Sequence, residues 1–571
     1  MKIIEKEIEN VLKETAIKLY KTEDFVMPLV QVTTNEKFGD FQTNFAMVNA
    51  KNMKKSPVSI ANEIKDQIIE NNIIEKMEIA GPGFLNIFLQ KEYLANKIKN
   101  INLGKKYIFD FINTDGDVII DYSSPNIAKR MHIGHLRSTV IGDSIKRIMK
   151  YIGYNVIADN HIGDWGTQFG KLIVGYRKWL NRENYINNPI DELERIYVEF
   201  SKFSENDETL EEEARFELKK LHDNDIENTK LWEEFIKLSL EEYDKIYKKL
   251  DITFDTYFGE SYYHKMMPKI IELLKDKKLA VESEGAQVVF FDEKDKLPPC
   301  IVQKKDGAFL YATSDIACIK FRNENYNLNK VIYVTDERQQ DHFKQFFKIT
   351  ELLDWKIEKE HIWFGIMRFK DDVFSTRKGN VIRLEELLDE AKSRAKKIVE
   401  EKNPNLSEEE KDHIAEVVGT GAVKYADLSQ NRMSPVIFEW DKILSFEGNT
   451  APYLQYTYAR IQSILRKADE LNIIVNGDDN IILETDIEKS LSVQIMLLPN
   501  IVIKASESYR PNILADYIFE LAKKFNTFYN ALPILKENEN IMKSRLQIIE
   551  ATAKVIKESL DLLGIKTVER M

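Results

Sequence analysis

Residues 121–137, DYSSPNIAKRMHIGHLR, constrain the fold more than any other stretch of the chain. They set two imidazoles, His132 and His135, around Gly134 where a strand gives way to a helix. Val118, Ile119 and Ile120 form the short apolar run of a buried strand, and Leu136, Val140, Ile141, Ile145 and Ile148 then recur at helical spacing. A strand, a tight turn and a helix N-terminus leave backbone N–H groups unpaired at a positive dipole end, which suits a phosphate. Gly134 lets a nucleotide approach the backbone where a Cβ would block it. Two histidines can then hydrogen-bond phosphate oxygens as negative charge builds up during displacement, the chemistry of nucleotidyl transfer.

Periodicity divides the rest of the chain. Residues 1–110 read as a mixed α/β domain: an opening helix, the strand MPLVQVTT, a helix over 58–71, and the apolar strand of AGPGFLNIFL behind a Gly-Pro-Gly turn. Residues 100–116 have little periodicity and read as a linker. From Asp117 strands and helices alternate through VIIDY, NVIADN, KVIYVTD and HIWFGIMRF, which predicts a parallel sheet covered by helices. Its first half spans 111–180 and its second 261–400, separated by a charged helical insertion over 181–260. Residues 401–571 read as a helical domain.

The length of 571 residues supports such a multidomain reading. No apolar run reaches the length of a membrane span. The start, MKIIEKEIENVLKET, is periodic but rich in glutamate, which suits a folded helix better than a signal or transit peptide, so the cytoplasm is the expected compartment. Cys300 and Cys318 are too few and too far apart for a disulfide framework or a tetrahedral zinc site. The net charge of −12 argues mildly against a nucleic-acid partner, although a local basic face suffices for one.

A His-x-Gly-His tetrapeptide alone says little. SSPNIAK before it, NHIGDWGTQFG at 160–170 and FSTRKGN at 374–380 resemble class I aminoacyl-tRNA synthetases. LYATSDIA, KYADLSQNR, LSFEGNTAPYLQYTYAR and the C-terminal LDLLGI extend the resemblance to arginyl-tRNA synthetases over nearly the whole length. This implies a multidomain α/β protein: a Rossmann-like parallel-sheet catalytic domain with a helical insertion, an N-terminal α/β domain that grips the tRNA D-loop, and an all-α C-terminal anticodon-binding domain. It also implies ATP-dependent activation of L-arginine to arginyl-adenylate, then transfer to the 2′-hydroxyl of the terminal adenosine of tRNA(Arg). ATP would bring Mg²⁺, tRNA would be bound before efficient activation, and no structural zinc, membrane or obligate protein partner is expected, which leaves a monomer.

The resemblance also assigns residues. His132, Gly134 and His135 would bind ATP together with Ser375, Thr376, Arg377 and Lys378 of the loop that matches the family's KMSKS motif. Val373 and Thr376 stand where that motif has its two lysines. Many arginyl enzymes compensate with a lysine just before the His-x-Gly-His turn, here Lys129, although Arg130 and Met131 differ from the Pro-containing pair often seen there. Lys129, His132, His135, Arg377 and Lys378 are therefore the catalytic candidates. A guanidinium pairs bidentately with carboxylates, and the resemblance points to Glu260 and Asp315, with Tyr311 beside them and Asn126 and Gln339 on the α-amino and carboxylate ends. Ser314 replaces an arginine common in this motif. The plain alternatives are that Asp315 caps a helix and that Glu260 lies on a surface. His161, Asp164, Trp165 and Gln168 read either as pocket walls and adenosine supports or as turn and core residues. For tRNA the candidates are Phe84 and Asn86 at the D-loop and Tyr453, Tyr456, Tyr529 and Met571 at the anticodon stem-loop, against ordinary packing for each.

Three other functions compete: a class I synthetase for another amino acid, a non-catalytic tRNA-binding descendant, and a small-molecule nucleotidylyltransferase. Glu260 and Asp315, with the missing KMSKS lysine, count against the first, the intact Lys129, His132, Gly134 and His135 against the second, and the long helical C-terminal region against the third.

Overall fold

The structure is a computed structural model that describes residues 1–33, 35–68, 70–369, 382–476 and 479–571. The chain forms two compact units, Thr114–Leu444 on its own and Met1–Asn113 together with Ser445–Met571.

The unit Thr114–Leu444 is built on a parallel sheet in the order Glu358–Phe364, Leu328–Asp336, Asp117–Asp121, Asn155–Asp159. Strand Asp117–Asp121 is central, and its Val118, Ile119 and Ile120 are buried, as expected for a strand covered on both faces. The chain runs outward from this strand to Asn155–Asp159 and later returns on its other side as Leu328–Asp336. The order therefore reverses beside Asp121, the kind of point at which open parallel sheets bind ligands outside the carboxyl ends of their strands. Helix Ile133–Ile152 starts at this reversal. Ser138 fastens it down, accepting from the Ser123 N–H at 2.9 Å and donating to the Val334 carbonyl at 2.6 Å.

Two features of this unit differ from the sequence reading. HIWFGIMRF is not one strand: Glu358–Phe364 ends before Gly365, and Met367–Phe369 pairs in parallel with Val436–Phe438 in a separate two-stranded sheet. Gly365 eases this exit, because a Cβ there would lie 3.2 Å from the Ser434 backbone, tighter than an ordinary contact. Residues 401–444 also pack with the sheet unit. Their helix Glu408–Leu428 carries Asp427, which receives Arg137 of the Ile133–Ile152 helix at 3.0 and 3.2 Å, and both side chains are buried.

In the other unit, strands Gln31–Val32, Phe41–Thr43, Phe84–Leu89 and Ile74–Ala80 form an antiparallel sheet in that order. Helix Pro57–Asp66 starts at a Ser56 cap and stops short of residue 71. The two ends of the chain are bound together by polar contacts: Lys489 pairs with Asp40 at 2.9 Å, Asn500 donates to Glu5 at 2.7 Å, and Asn102 donates to the Gln547 carbonyl at 2.9 Å. Residues 445–571 are helical, with Ala451–Glu470, Pro511–Ala531 and Glu539–Leu562 the longest elements. No helix among the described residues is long and apolar enough to cross a membrane.

Asp427→Ala should strand the Arg137 guanidinium without its counter-charge. Breaking a buried pair in this way costs about 3–5 kcal/mol. The denaturant midpoint of the sheet unit should fall accordingly, and an unchanged midpoint would show that the pair contributes nothing.

Candidate active site

Helix Ile133–Ile152 has no acidic residue in its first turn, and imidazoles instead meet the N–H groups of Gly134 and of the N-cap residue His132. The Gly134 N–H donates to His132 Nδ1 at 3.0 Å, and the His132 N–H donates to His135 Nδ1 at 3.0 Å. This is a reciprocal capping box made of two histidines, with ring centroids 4.0 Å apart. Because both Nδ1 atoms accept, each neutral ring carries its proton on Nε2. Burial, reinforced by Lys129, lowers the His132 pKa. Burial and then the His132 charge push His135 down to about 3. The turn therefore offers two neutral Nε2–H donors at a helix N-terminus. Gly134 has a further reason to be glycine: a Cβ there would lie 2.8 Å from Cε1 of the His132 ring.

The approach to this turn is strained and heavily tied. Ser123, Ser124 and Ala128 all have positive φ. Ser124 N–H donates to Asn160 at 3.0 Å, Ala128 N–H to Ser239 at 2.9 Å, and the Tyr243 hydroxyl donates to the carbonyls of Asn126 and Lys129 at 2.5 and 3.0 Å. The Gly163 N–H donates to the Pro125 carbonyl at 3.1 Å, while Ile127 N–H donates to the Gly163 carbonyl at 3.2 Å. A Cβ on Gly163 would lie 2.1 Å from Asn126 Oδ1, so NHIGDWGTQFG needs this glycine to let Asn126 cross it.

The two acids lie on separate helices. Glu260 opens helix Glu260–His264, whose N-terminus Asp164 holds by accepting from the Ser261 N–H at 2.8 Å and its hydroxyl at 2.6 Å. Burial, opposed by His161 and reinforced by the charges of Asp315 and Asp164, raises the Glu260 carboxyl to about 7. Asp315 lies inside helix Tyr311–Asn325 and does not cap it; its Oδ2 is 2.6 Å from His342 Nε2. Burial opposes protonation of His342, but the Asp315 hydrogen bond and charge raise its pKa. His342 was not among the sequence candidates, and no motif pointed to it. Tyr311 is 69% exposed and close enough to Glu260 for that charge to help raise its hydroxyl pKa after burial. Gln339 is exposed at the end of the turn Glu337–Gln339.

The remaining residues of NHIGDWGTQFG have packing partners. His161 Nδ1 lies 2.9 Å from the Phe258 carbonyl, Trp165 stacks on His222 and donates to His264 at 3.1 Å, and Gln168 donates to the Gly163 carbonyl at 3.2 Å. Asp121, Asp159 and His161 bring potential metal-ligand atoms within 4.8 Å of one another. Arg322 already sits on both carboxylates at 2.7 and 2.6 Å, so their charge is met by a guanidinium.

Lys129 Nζ stands 4.5 Å from the Tyr197 ring centre. Ser375, Thr376, Arg377 and Lys378, with Val373, lie outside the described residues. The chain after them is fixed to the histidine turn: Ile133 N–H donates to the Ile382 carbonyl at 3.1 Å and Leu384 N–H to the Met131 carbonyl at 2.9 Å.

In the other unit, Asn86 is only 4% exposed, in register between Gln42 and Glu78, while Phe84 is half-buried at the start of the strand. Tyr453, Tyr456 and Tyr529 meet around two residues absent from the sequence candidates, Arg460 and Asn526. Arg460 lies 4.7 Å from the Tyr456 ring centre and 5.2 Å from that of Tyr529, and donates to Asn526 at 2.9 Å. Asn526 donates to the Tyr453 hydroxyl at 2.7 Å. Tyr529 is 40% exposed, and Met571 is half-buried. Arg460 follows Tyr456 by four residues on one helix, the spacing that could have singled it out.

The capping geometry predicts ¹⁵N spectra in which His132 and His135 have unprotonated Nδ1 at neutral pH. Since the folded turn resists the proton that the unfolded chain takes up near pH 6.5, its stability contribution is present above that pH and is lost as pH falls toward 3. Protonated Nδ1 in either ring would contradict the geometry.

Comparison with known proteins gives the family. The model for the class I (R) tRNA synthetase catalytic domain matches residues 97–440, that for the DALR anticodon binding domain residues 454–571, and that for the arginyl tRNA synthetase N terminal domain residues 2–89. The arginine–tRNA ligase of Fusobacterium nucleatum is 60% identical over the full length of both chains. That of Clostridium perfringens is 43% identical over 95% of this chain and 96% of its own. Among solved structures, arginyl-tRNA synthetase from Plasmodium falciparum superposes with a TM-score of 0.83 at 30% identity, covering 100% of both chains. The Thermus thermophilus enzyme, at 24% identity and a TM-score of 0.82 over 99% of this chain and 100% of its own, shares the fold. With its catalytic, N-terminal and anticodon-binding models all matched, the chain belongs to the arginyl-tRNA synthetases of class I.

Proposed function

We propose that the protein is an arginine–tRNA ligase, and the observation that carries the reading is the pair of neutral Nε2–H donors at the helix N-terminus. In the first step a carboxylate oxygen of arginine bonds to the α-phosphorus of ATP as the bond to pyrophosphate breaks. His132 and His135, both neutral, donate Nε2–H to the phosphate oxygens as charge develops. Lys129, Arg377 and Lys378 supply positive charge to the triphosphate, which arrives with its Mg²⁺; Gly134, Ser375 and Thr376 complete the ATP site. In the second step the terminal 2′-hydroxyl of tRNA(Arg) attacks the acyl carbon of arginyl-adenylate and AMP departs.

Glu260 and Asp315 receive the guanidinium. Asp315 is suited to this because His342 fixes one of its oxygens and leaves the other to accept. Tyr311 closes the pocket, and Asn126 and Gln339 hold the α-amino and carboxylate groups. The Tyr453, Tyr456 and Tyr529 cluster docks unstacked anticodon bases, Met571 contributes to the same site, and Phe84 with Asn86 meets the D-loop; Phe84 is the more accessible of that pair. The enzyme works as a cytoplasmic monomer.

ATP–pyrophosphate exchange with each amino acid, with and without tRNA(Arg), tests the reading. Exchange should require arginine, and exchange driven by any other amino acid would overturn it. The arginine KM should also depend on pH. Glu260 must lose its proton to pair with a guanidinium, so below about pH 7 the KM should climb toward about tenfold per pH unit. A flat arginine KM from about pH 6 to about pH 8 would remove Glu260 from the pocket.

A further inference from the structure

Arg130 lies two residues before His132, at the edge of the turn, and its guanidinium is wholly engaged. Nε and Nη2 reach the two oxygens of Asp191 at 2.6 and 3.2 Å, and Nη1 reaches Glu385 at 3.2 Å and also Glu242. These acids come from separate helices: Asp191 from Pro189–Ser204, Glu242 from Ile226–Leu250, and Glu385 from Leu384–Lys402. Asp191 also receives Arg383 at 3.1 Å, and Arg383 pairs with His132 as an antiparallel bridge. Farther along the same helical face, Glu194 lies 3.7 Å from Arg383, and the Tyr197 ring holds Lys129. One face of the insertion helix thus meets Arg383 and the two cations that immediately precede the histidine turn.

The Arg130 side chain is only 15% exposed and that of Glu242 14%, so losing this pair costs stability as well as position. It also supplies fixation beside a backbone that needs it, because Ser123, Ser124 and Ala128 are all held at positive φ just upstream. Displacements of about 1 Å are enough to slow in-line chemistry by about a hundredfold.

We infer that Arg130 is a positioning residue for amino-acid activation: through Asp191, Glu242 and Glu385 it fixes the His132–His135 turn and Lys129 against the helical insertion. The inference rests on the arginine–tRNA ligase reading. Arg130 touches no reacting atom; it sets where the Nε2–H donors and the Lys129 ammonium stand when ATP is bound.

The test uses the full-length protein and single-turnover formation of arginyl-adenylate with tRNA(Arg) present. Arg130→Ala should slow this step between about tenfold and about a hundredfold. The KM values for arginine and ATP should stay within about twofold, the pattern of an interaction felt at the transition state and not in ground-state binding. Arg130→Lys should recover part of the rate, since it restores one charge without the bidentate fork. Asp191→Asn should slow the step too, and the Arg130→Ala, Asp191→Asn double variant should be no slower than the worse single variant. Thermal unfolding run alongside separates position from stability. If Arg130→Ala folds poorly, Arg130→Lys and Asp191→Asn carry the comparison. A wild-type rate in the variants, a loss confined to KM, or a loss that only tracks the unfolded fraction would overturn the inference. Wild-type protein inert toward arginine would instead overturn the functional reading beneath it.

Discussion

A helix N-terminus that faces a ligand must find partners for its own N–H groups and still present donors to that ligand. Helix Ile133–Ile152 meets this condition with histidines: His132 accepts from Gly134, and His135 accepts back from His132. Serine or aspartate would cap as well, but the serine hydroxyl stays close to the backbone it caps, and the spare oxygen of aspartate can only accept, which repels a phosphate. An imidazole has a second nitrogen on the far side of the ring. Engaging Nδ1 in the cap leaves Nε2–H as a donor of fixed direction, and burial keeps the ring neutral. Local structure and the donor chemistry of the site are one arrangement, and the surrounding fold serves to hold it.

Buried and half-buried arginines do much of that holding. Arg137, one turn inside the helix, reaches Asp427 and the carbonyls of Gly365, Arg432 and Ser434, so the helix is tied to the segments that follow the sheet. Arg322 bridges Asp121 and Asp159 at the carboxyl ends of neighbouring strands. Arg130 joins the turn to the insertion. Fixed partners of this kind suit a reaction whose catalysis is mainly placement and electrostatics, because donors already oriented need not reorganise as charge shifts.

The parts of this site carried by local pattern were legible in the sequence. The apolar run at 118–120 and the helical spacing after His135 place the strand and helix correctly, and the alternation that follows predicts the parallel sheet. Arg137, Arg322 and His342 were not legible, because their partners Asp427, Asp121 and Asp315 are brought to them only by tertiary folding. Asp164 could be suspected as a pocket residue from its motif, yet it caps the helix that bears Glu260, and no local signal distinguishes the two uses. Nor could periodicity foresee that residues 1–113 and 445–571 form one body, since that depends on pairings such as Lys489 with Asp40. Residues 375–378 were assigned by resemblance and lie outside the described residues.

The claim that the histidine turn stabilises the transition state is tested most directly by rapid-quench measurement of arginyl-adenylate formation in His135→Ala, alongside equilibrium binding of ATP. Losing one preoriented donor should slow the chemical step by about a hundredfold or more and leave ATP affinity nearly unchanged, since the bond strengthens only as charge develops. A chemical step of wild-type speed, or a loss seen wholly in ATP affinity, would contradict the account.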